Sequence, residues 1–475
     1  MEKYDVIIVG AGPMGMMSAY ELLKARPTSK VLLIDKGLDI HKRQCPILQG
    51  KIKKCPTNAE GVIGCSPACS ITSGFGGSGA YSDGKFNITS EFGGWLDEYL
   101  DDEEILELIH YMDEINLEHG APKNITDPYS PKVEEIERRG IAYGLKLLRA
   151  EVRHFGTEVN LQVLKNINLE MKKHVEMRFE TEVEDILVED KTVVGVLLTT
   201  GEKIYSKYVV LGVGRNGSEW SEKILTKHGV IHHHNSVDIG VRVETNDIVM
   251  AEINEHLYEG KFVYKTSLGT KVRTFCANPS GHVVIENHNG VAVCNGHSFN
   301  DPELGSNNTN FALLVSHRFE EPFKNPNAYA IEIARLANQL SNGSVIVQSY
   351  GDIKKKRRST VKRINEGFVK PTLKDAVPGD LGLVLPFNTM QAIIEMIEAL
   401  DSVTPGIAND HTLFYGVEAK FYSARPAVRG GFELRDLNNI FVGGDGAGLT
   451  RGLAQSSANG IYIARYIAEK LNGER

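Results

Sequence analysis

A membrane-spanning helix needs roughly 18 consecutive apolar residues. No run in these 475 residues approaches that, so a helical span is not expected. Cysteine is scarce, with six in the chain, too few for a disulfide scaffold. The opening Met-Glu-Lys-Tyr-Asp lacks the basic region, long apolar stretch and cleavage site of a secretory signal. A reducing cytoplasm is the expected compartment. Cations are the minority, 53 Lys and Arg against 61 Asp and Glu for a net charge of −8, which argues against a nucleic-acid partner. The basic run 354–358 reads as a solvated loop. Internal repeats and low-complexity linkers are missing too.

What is present describes a globular chain. Apolar residues make up 41%, and exchanging tyrosine for glycine in that count gives about 47%, inside the usual band. Glycine is plentiful at 47 residues, which implies many tight turns and close backbone approaches. The length allows two or three domains.

The first 35 residues read strand, helix, strand. The apolar run 5–9 suits a parallel strand covered on both faces, 14–25 a helix, and 30–34 a second strand ending at Asp35. Residues 40–90 form a long Gly-, Ser-, Cys- and Pro-rich loop, a kind usually tied to function. Helices are expected at 103–119, 132–148 and 159–173. Strands return over 176–213 and fill 235–350, with helices near 328–341 and 388–401. The end gives a strand at 439–443, a Gly-rich turn and a helix at 453–471.

Gly10-Ala-Gly12-Pro13-Met14-Gly15 is G-x-G-x-x-G between a strand and a helix. The first glycine permits the sharp turn, the second lets backbone approach a pyrophosphate, and the third allows close helix–strand packing. The helix N-terminus then holds the anion. Asp35 stands where a carboxylate accepts ribose hydroxyls, with Lys36 beside it. Strand, helix and terminal acid in register make dinucleotide binding the reading.

Three further segments choose the dinucleotide. The strand running into Gly444-Asp445-Gly446, with Gly452 and Leu453 opening the next helix, resembles the C-terminal FAD motif of the glutathione-reductase-like flavoproteins. The resemblance implies that Asp445 bonds the ribityl side and that the helix end faces the flavin, where its dipole would stabilise negative charge. The strand ending in Gly212-Val-Gly214 resembles the mid-chain return strand of the same superfamily. It also reads G-x-G-x-x-G, but no apolar strand ending in an acid follows, so a second nucleotide domain is not expected. The third is the loop Gly76-Gly77-Ser78-Gly79-Ala-Tyr-Ser82-Asp83, which exposes N–H groups suited to phosphate or a flavin ring.

Seven blocks then point to one family: GGSGAYSDGKFN (76–87), DIGVRVE (238–244), VRTFCANPSGHVV (272–284), CNGHS (294–298), NFALLVS (310–316), PGDLG (378–382) and GDGAGLTRGL (444–453). Nearly end to end, the chain resembles the family usually labelled uncharacterised FAD-dependent dehydrogenases. Gly77-Ser78-Gly79-Ala80 stands where that family commonly reads Gly-Ala-Gly. The resemblance implies an α/β fold. A Rossmann-like FAD-binding domain of the GR2 type (1–230 and 431–475) would be closed by both termini, and an α+β substrate domain (231–430) inserted in it. FAD contacts are implied at the glycines above, at Pro13, Met14, Asp35, Lys36, Ser78, Ser82, Asp83, Val183, Asp445 and Leu453.

Four cysteines, Cys45, Cys55, Cys65 and Cys69, lie in the loop after Asp35. Four thiolates can close a tetrahedral site for zinc or a [4Fe-4S] cluster. Their spacing matches no standard pattern, so ordinary thiols or a redox-active dithiol stay open as alternative readings.

The inserted domain is expected to shape the substrate pocket. Its candidate groups are His297, first choice as proton donor because of its near-neutral pKa, with Arg273 and Arg425 for a substrate carboxylate and Cys276 and Tyr422. Lys85 joins them from the first domain. His232–His234 alternate faces on an extended strand and read as solvated. The expected activity is hydride transfer between flavin N5 and a small organic substrate. One rival is an iron–sulfur flavoprotein taking electrons from ferredoxin rather than NAD(P)H. The other is an FAD-dependent RNA-modifying protein, which the acidic balance disfavours.

Overall fold

The computed structural model describes residues 3–46, 49–52, 56, 65–66, 68–257, 260–288, 290–298, 302–320, 322–323 and 325–473. The chain divides into two compact units. The first holds residues 1–125, 150–234 and 423–475; the second holds 126–149 and 235–422.

The first unit is built on a nine-stranded sheet. Its centre is parallel, in the order Ile440–Val442, Lys203–Leu211, Lys3–Val9, Val31–Ile34, Glu176–Arg178. The strand Lys3–Val9 is buried from Val6 onward, as the apolar run required. Helices Pro13–Ala25 and Leu453–Asn472 pack tightly because glycine lies at their crossing. A Cβ on Gly460 would lie 2.2 Å from the Met14 carbonyl oxygen, and the Ser18 hydroxyl donates to the Gly460 carbonyl at 2.9 Å. The first strand and the last helix of the chain thus share one core.

The second unit carries an eight-stranded sheet, with Val237–Asn246 between Leu413–Lys420 and Asn308–His317. Period-two alternation splits that strand. Val237, Ile239, Val241 and Val243 enter the apolar core, while Asp238, Arg242 and Glu244 take the opposite face and are buried as well. A hairpin, His282–His288 with Val291–His297, forms its own two-stranded sheet.

One expected helix is corrected. The span 132–148 is helical only over Pro131–Ile141. Gly144 then turns the chain with φ +80, and Leu145–Leu148 becomes a strand paired with Lys261–Lys265. Alternate burial of Leu145 and Leu147 within that strand outweighed the helical spacing. The strand carries residues 126–149 into the second unit, although the sequence reading assigned them to the first domain. The boundaries fall at 234/235 and 422/423 rather than 230/231 and 430/431.

Among the described residues, no helix is long and apolar enough to cross a membrane.

Candidate functional site

The site in the first unit is made of glycine and backbone. A Cβ on Gly10 would lie 2.7 Å from the Gly212 carbonyl oxygen, and one on Gly15 would lie 1.9 Å from the Gly10 carbonyl oxygen. These two positions exclude a side chain for packing reasons. Gly12 differs: a Cβ there would meet nothing within 4 Å. Open space thus lies over the N-terminus of Pro13–Ala25, where the second glycine of a dinucleotide turn leaves room for a phosphate.

Asp35 closes the turn from the side. Its Oδ2 accepts from the Ala11 N–H at 2.8 Å and its Oδ1 from the Gly37 N–H at 2.7 Å. The Thr181 N–H donates to the Asp35 carbonyl at 3.1 Å, which leads the chain past this point into the strand beginning at buried Val183.

The Gly-rich loop meets the same turn. The Gly76 N–H donates to the Ala11 carbonyl at 2.8 Å. A Cβ on Gly77 would approach the Gly12 Cα to 3.0 Å, and one on Gly79 the Leu453 Cδ2 to 2.5 Å. Ser78 is exposed. The Ser82 hydroxyl and the Asn160 side-chain amide both donate to the Gly79 carbonyl, each at 2.7 Å. Asp83 faces Lys85 at 3.3 Å and His154 at 3.6 Å. His154 was missed by sequence reasoning; the antiparallel pairing of Lys85 with His154 brings it there. Burial holds its pKa below the usual value, with Lys85 adding to the effect and the Asp83 carboxylate opposing it.

The C-terminal motif completes the cradle. Gly446 donates its N–H to the Val213 carbonyl at 3.1 Å, so the Gly212–Gly214 segment lies between Gly10 and Gly446. Gly214, like Gly12, has open space at its Cβ position. Burial raises the Asp445 pKa. Opposing that are the nearby Arg215 and Arg451, the Thr450 hydroxyl, which donates at 2.9 Å, and the Gly452 N–H. The helices starting after Gly12 and Gly452 have no side-chain cap and no acidic residue in their first turns. By contrast, Asp101, Ser130, Asn246 and Asn325 cap other helices. Two uncapped N-termini converge where an anionic ligand would be stabilised.

Of the four cysteines, Cys45 is buried and Cys65 and Cys69 are half-buried, all as free thiols; Cys55 lies outside the described residues. Among the described residues no group of three or more metal-ligating side chains forms. Arg43, another residue the sequence did not single out, organises this loop. Its guanidinium donates to the Ser70, Ile71 and Phe75 carbonyls at 2.6–2.9 Å. Burial would raise the Cys69 thiol pKa, but hydrogen bonds from Ile71 and Thr72, with the Arg43 charge, bring it below its usual value.

The other candidates belong to different neighbourhoods. In the second unit Arg273 and Tyr422 both bond the Asp238 carboxylate, and Arg273 also reaches the Tyr422 hydroxyl at 3.1 Å. Its guanidinium is thus engaged within the unit. Burial would raise the Asp238 pKa; the Arg273 charge and bonds from Ser316 and Tyr422 hold it below the carboxylate norm. Cys276 adopts φ +47 at a bulge, where its carbonyl accepts from Arg242 Nη1 at 2.8 Å. His297 is exposed and ends the hairpin opposite His282. Arg425, in the first unit, pairs with Glu98 at 2.5 Å and lies over the Trp95 ring.

Residues 236–421 match a family model described as FAD-dependent protein, C-terminal domain-like. An uncharacterized protein of Clostridium beijerinckii is 26% identical over 99% of this chain and 82% of its own length. Solved structures show lower likeness. L-proline dehydrogenase from P. horikoshii is 12% identical, covering 100% of this chain and 94% of that one at a TM-score of 0.36. Glycine oxidase from Geobacillus kaustophilus is 14% identical over 99% and 95% at 0.37.

Proposed function

We propose that this chain is an FAD-dependent oxidoreductase of the GR2 flavoprotein type, moving a hydride between the flavin and a small organic substrate. The observation that supports it best is the meeting of three motifs in one unit. The turn at Gly10–Gly15, the loop at Gly76–Gly79 and the C-terminal Asp445–Leu453 segment surround open space at Gly12 and two uncapped helix ends. Donor groups and room for backbone approach are what an FAD pyrophosphate requires.

In this reading Gly12 and the N-terminus of Pro13–Ala25 hold the pyrophosphate, and Asp35 takes ribose hydroxyls. Asp445 and the N-terminus of Leu453–Asn472 serve the flavin side. Bound FAD would supply hydride transfer at N5; the protein binds it, orients it and excludes water. His154, exposed beside Asp83 and Lys85 and with its pKa held below the usual value, is a group able to exchange protons. His297, Arg273 and Cys276 remain candidates for substrate handling.

The test is the absorbance of purified protein after incubation with FAD and gel filtration. Stoichiometric retained flavin is expected, and colourless protein that refuses FAD overturns the reading. Iron, acid-labile sulfide and zinc analysis of anaerobically prepared protein decides in the same run whether Cys45, Cys55, Cys65 and Cys69 hold a metal.

A further inference from the structure

The last helix, Leu453–Asn472, starts from Gly452 without a side-chain cap. Gln455 is its third residue, a place from which glutamine commonly reaches back to the N–H of the capping residue. Here the Gly452 N–H is given to the Asp445 carboxylate instead. The Gln455 amide turns elsewhere. Its Nε2 donates to the Ser90 carbonyl at 3.4 Å and to the Phe92 carbonyl at 3.3 Å. Carbonyls only accept, so these two contacts fix which end of the amide is the nitrogen.

The other end is left over. Gln455 is 2% exposed, and among the described residues its Oε1 has no hydrogen-bond donor. A buried acceptor left unmatched costs stability, and such an atom in a native protein calls for a reason. Its surroundings supply one. A Cβ on Gly94 would lie 2.5 Å from Oε1 and 2.7 Å from the Thr450 Cα, so glycine keeps a side chain out of the spot that the oxygen and Thr450 share. Thr450 donates its hydroxyl to Asp445 at 2.9 Å, and Gly452 has open space at its own Cβ position. The orphaned oxygen therefore belongs to the turn that the FAD reading assigns to the flavin.

We propose that Gln455 reads the flavin ring, its Oε1 accepting the N–H at flavin N3. This deepens the FAD reading and rests on it. The chemistry of the ring chooses the atom. The pyrimidine edge of oxidised flavin carries one N–H, at N3, between two carbonyls. Uncapped helix N–H groups suit the carbonyls but offer nothing to the N–H. An acceptor in the first turn of the same helix supplies that, and the Ser90 and Phe92 carbonyls hold it as an acceptor. A ring without such an N–H would leave Oε1 unmatched, so the contact also selects flavin over other ring systems.

The experiment titrates the full-length protein, stripped of flavin, with FAD and with 3-methyl-FAD, in which a methyl group replaces the N3 proton. The parent is compared with Gln455→Met and Gln455→Leu, so that one folded variant suffices. Expected is a preference of about tenfold or more for FAD in the parent, falling to within about twofold in the variants. The N3 proton of 15N-labelled FAD bound to the parent should exchange slowly with solvent, and faster in the variants. Equal affinity of the parent for both flavins, or an N3 proton in fast exchange, overturns the contact. So does a preference that persists undiminished in a folded variant, which would give the N3–H to another acceptor. Parent protein that binds neither flavin refutes the cofactor reading instead.

Discussion

The two units handle buried polarity in opposite ways. The first leaves backbone donors at two helix ends uncapped and keeps room beside them at Gly12 and Gly214. The second satisfies most of its polar sheet face from within, with Asn310 Nδ2 and the Thr245 hydroxyl as buried exceptions. Arg242 and Glu418, both wholly buried, pair through two bonds of 2.7 and 2.8 Å. Glu244 accepts from Tyr415 and Thr372, and Asn308 donates to it at 3.1 Å. Gly296 brings the hairpin down onto this face; a Cβ there would lie 2.7 Å from Arg242 Nη1. In the proposed reading one unit is polar in order to take a ligand, while the buried pairs of the other hold its strands in register.

The strongest way to break the contrast is a side chain where the first unit has no room. Gly15→Val pushes its branches into the Gly10 carbonyl and is expected to cost more than about 4 kcal/mol, abolishing FAD retention with the fold of that unit. Urea unfolding with flavin absorbance checks it. Glu418→Gln leaves a buried guanidinium without its charge partner and is expected to cost about 3–5 kcal/mol. Arg242→Met together with Glu418→Leu should recover part of that loss. FAD retention after gel filtration should survive both changes; if it falls with them, the division of roles is wrong.

Asp238 gives the pH counterpart. Its folded pKa lies below the unfolded value, so it contributes stability above about pH 4, and that contribution is lost as pH falls through the folded pKa. Asp238→Asn is expected to cost about 2 kcal/mol at neutral pH and to flatten the acid limb of the stability curve. An unchanged acid limb in denaturant titrations between pH 3 and pH 7 (~, the carboxylate range) would sink the assignment.

The same contrast explains what was legible in the sequence. The strand at Lys3–Val9, the glycine turn and Asp35 could be read because each signal is local: an apolar run, a fixed spacing, a strand-end acid. The alternation in 237–244 marks two faces, yet nothing in it says that the polar face is buried; Glu418 and Asn308 lie far along the chain. Arg43 and His154 carried no local signal either, since long-range carbonyls and a cross-strand pairing give them their places. The strand at Leu145–Leu148 was hidden by a helix-forming composition that only its partner at Lys261–Lys265 overrides.

The smallest stability change is the most diagnostic. Gly12 sits at the N-cap of Pro13–Ala25 with φ −69 and ψ −177, a conformation open to any residue, and it has empty space at its Cβ. Aspartate at an N-cap accepts helix N–H groups and complements the dipole. Gly12→Asp should therefore leave the ligand-free protein as stable as the parent, or stabilise it by up to about 1 kcal/mol. The same carboxylate would occupy the space a phosphate needs and repel its charge, so FAD affinity should fall by a hundredfold or more, an effect of about 3 kcal/mol. If glycine were there only for packing, as at Gly15, the variant would lose stability and flavin together. Paired thermal unfolding of the ligand-free forms and FAD titration separate the two cases: only a glycine reserved for a ligand gives unchanged folding with lost binding.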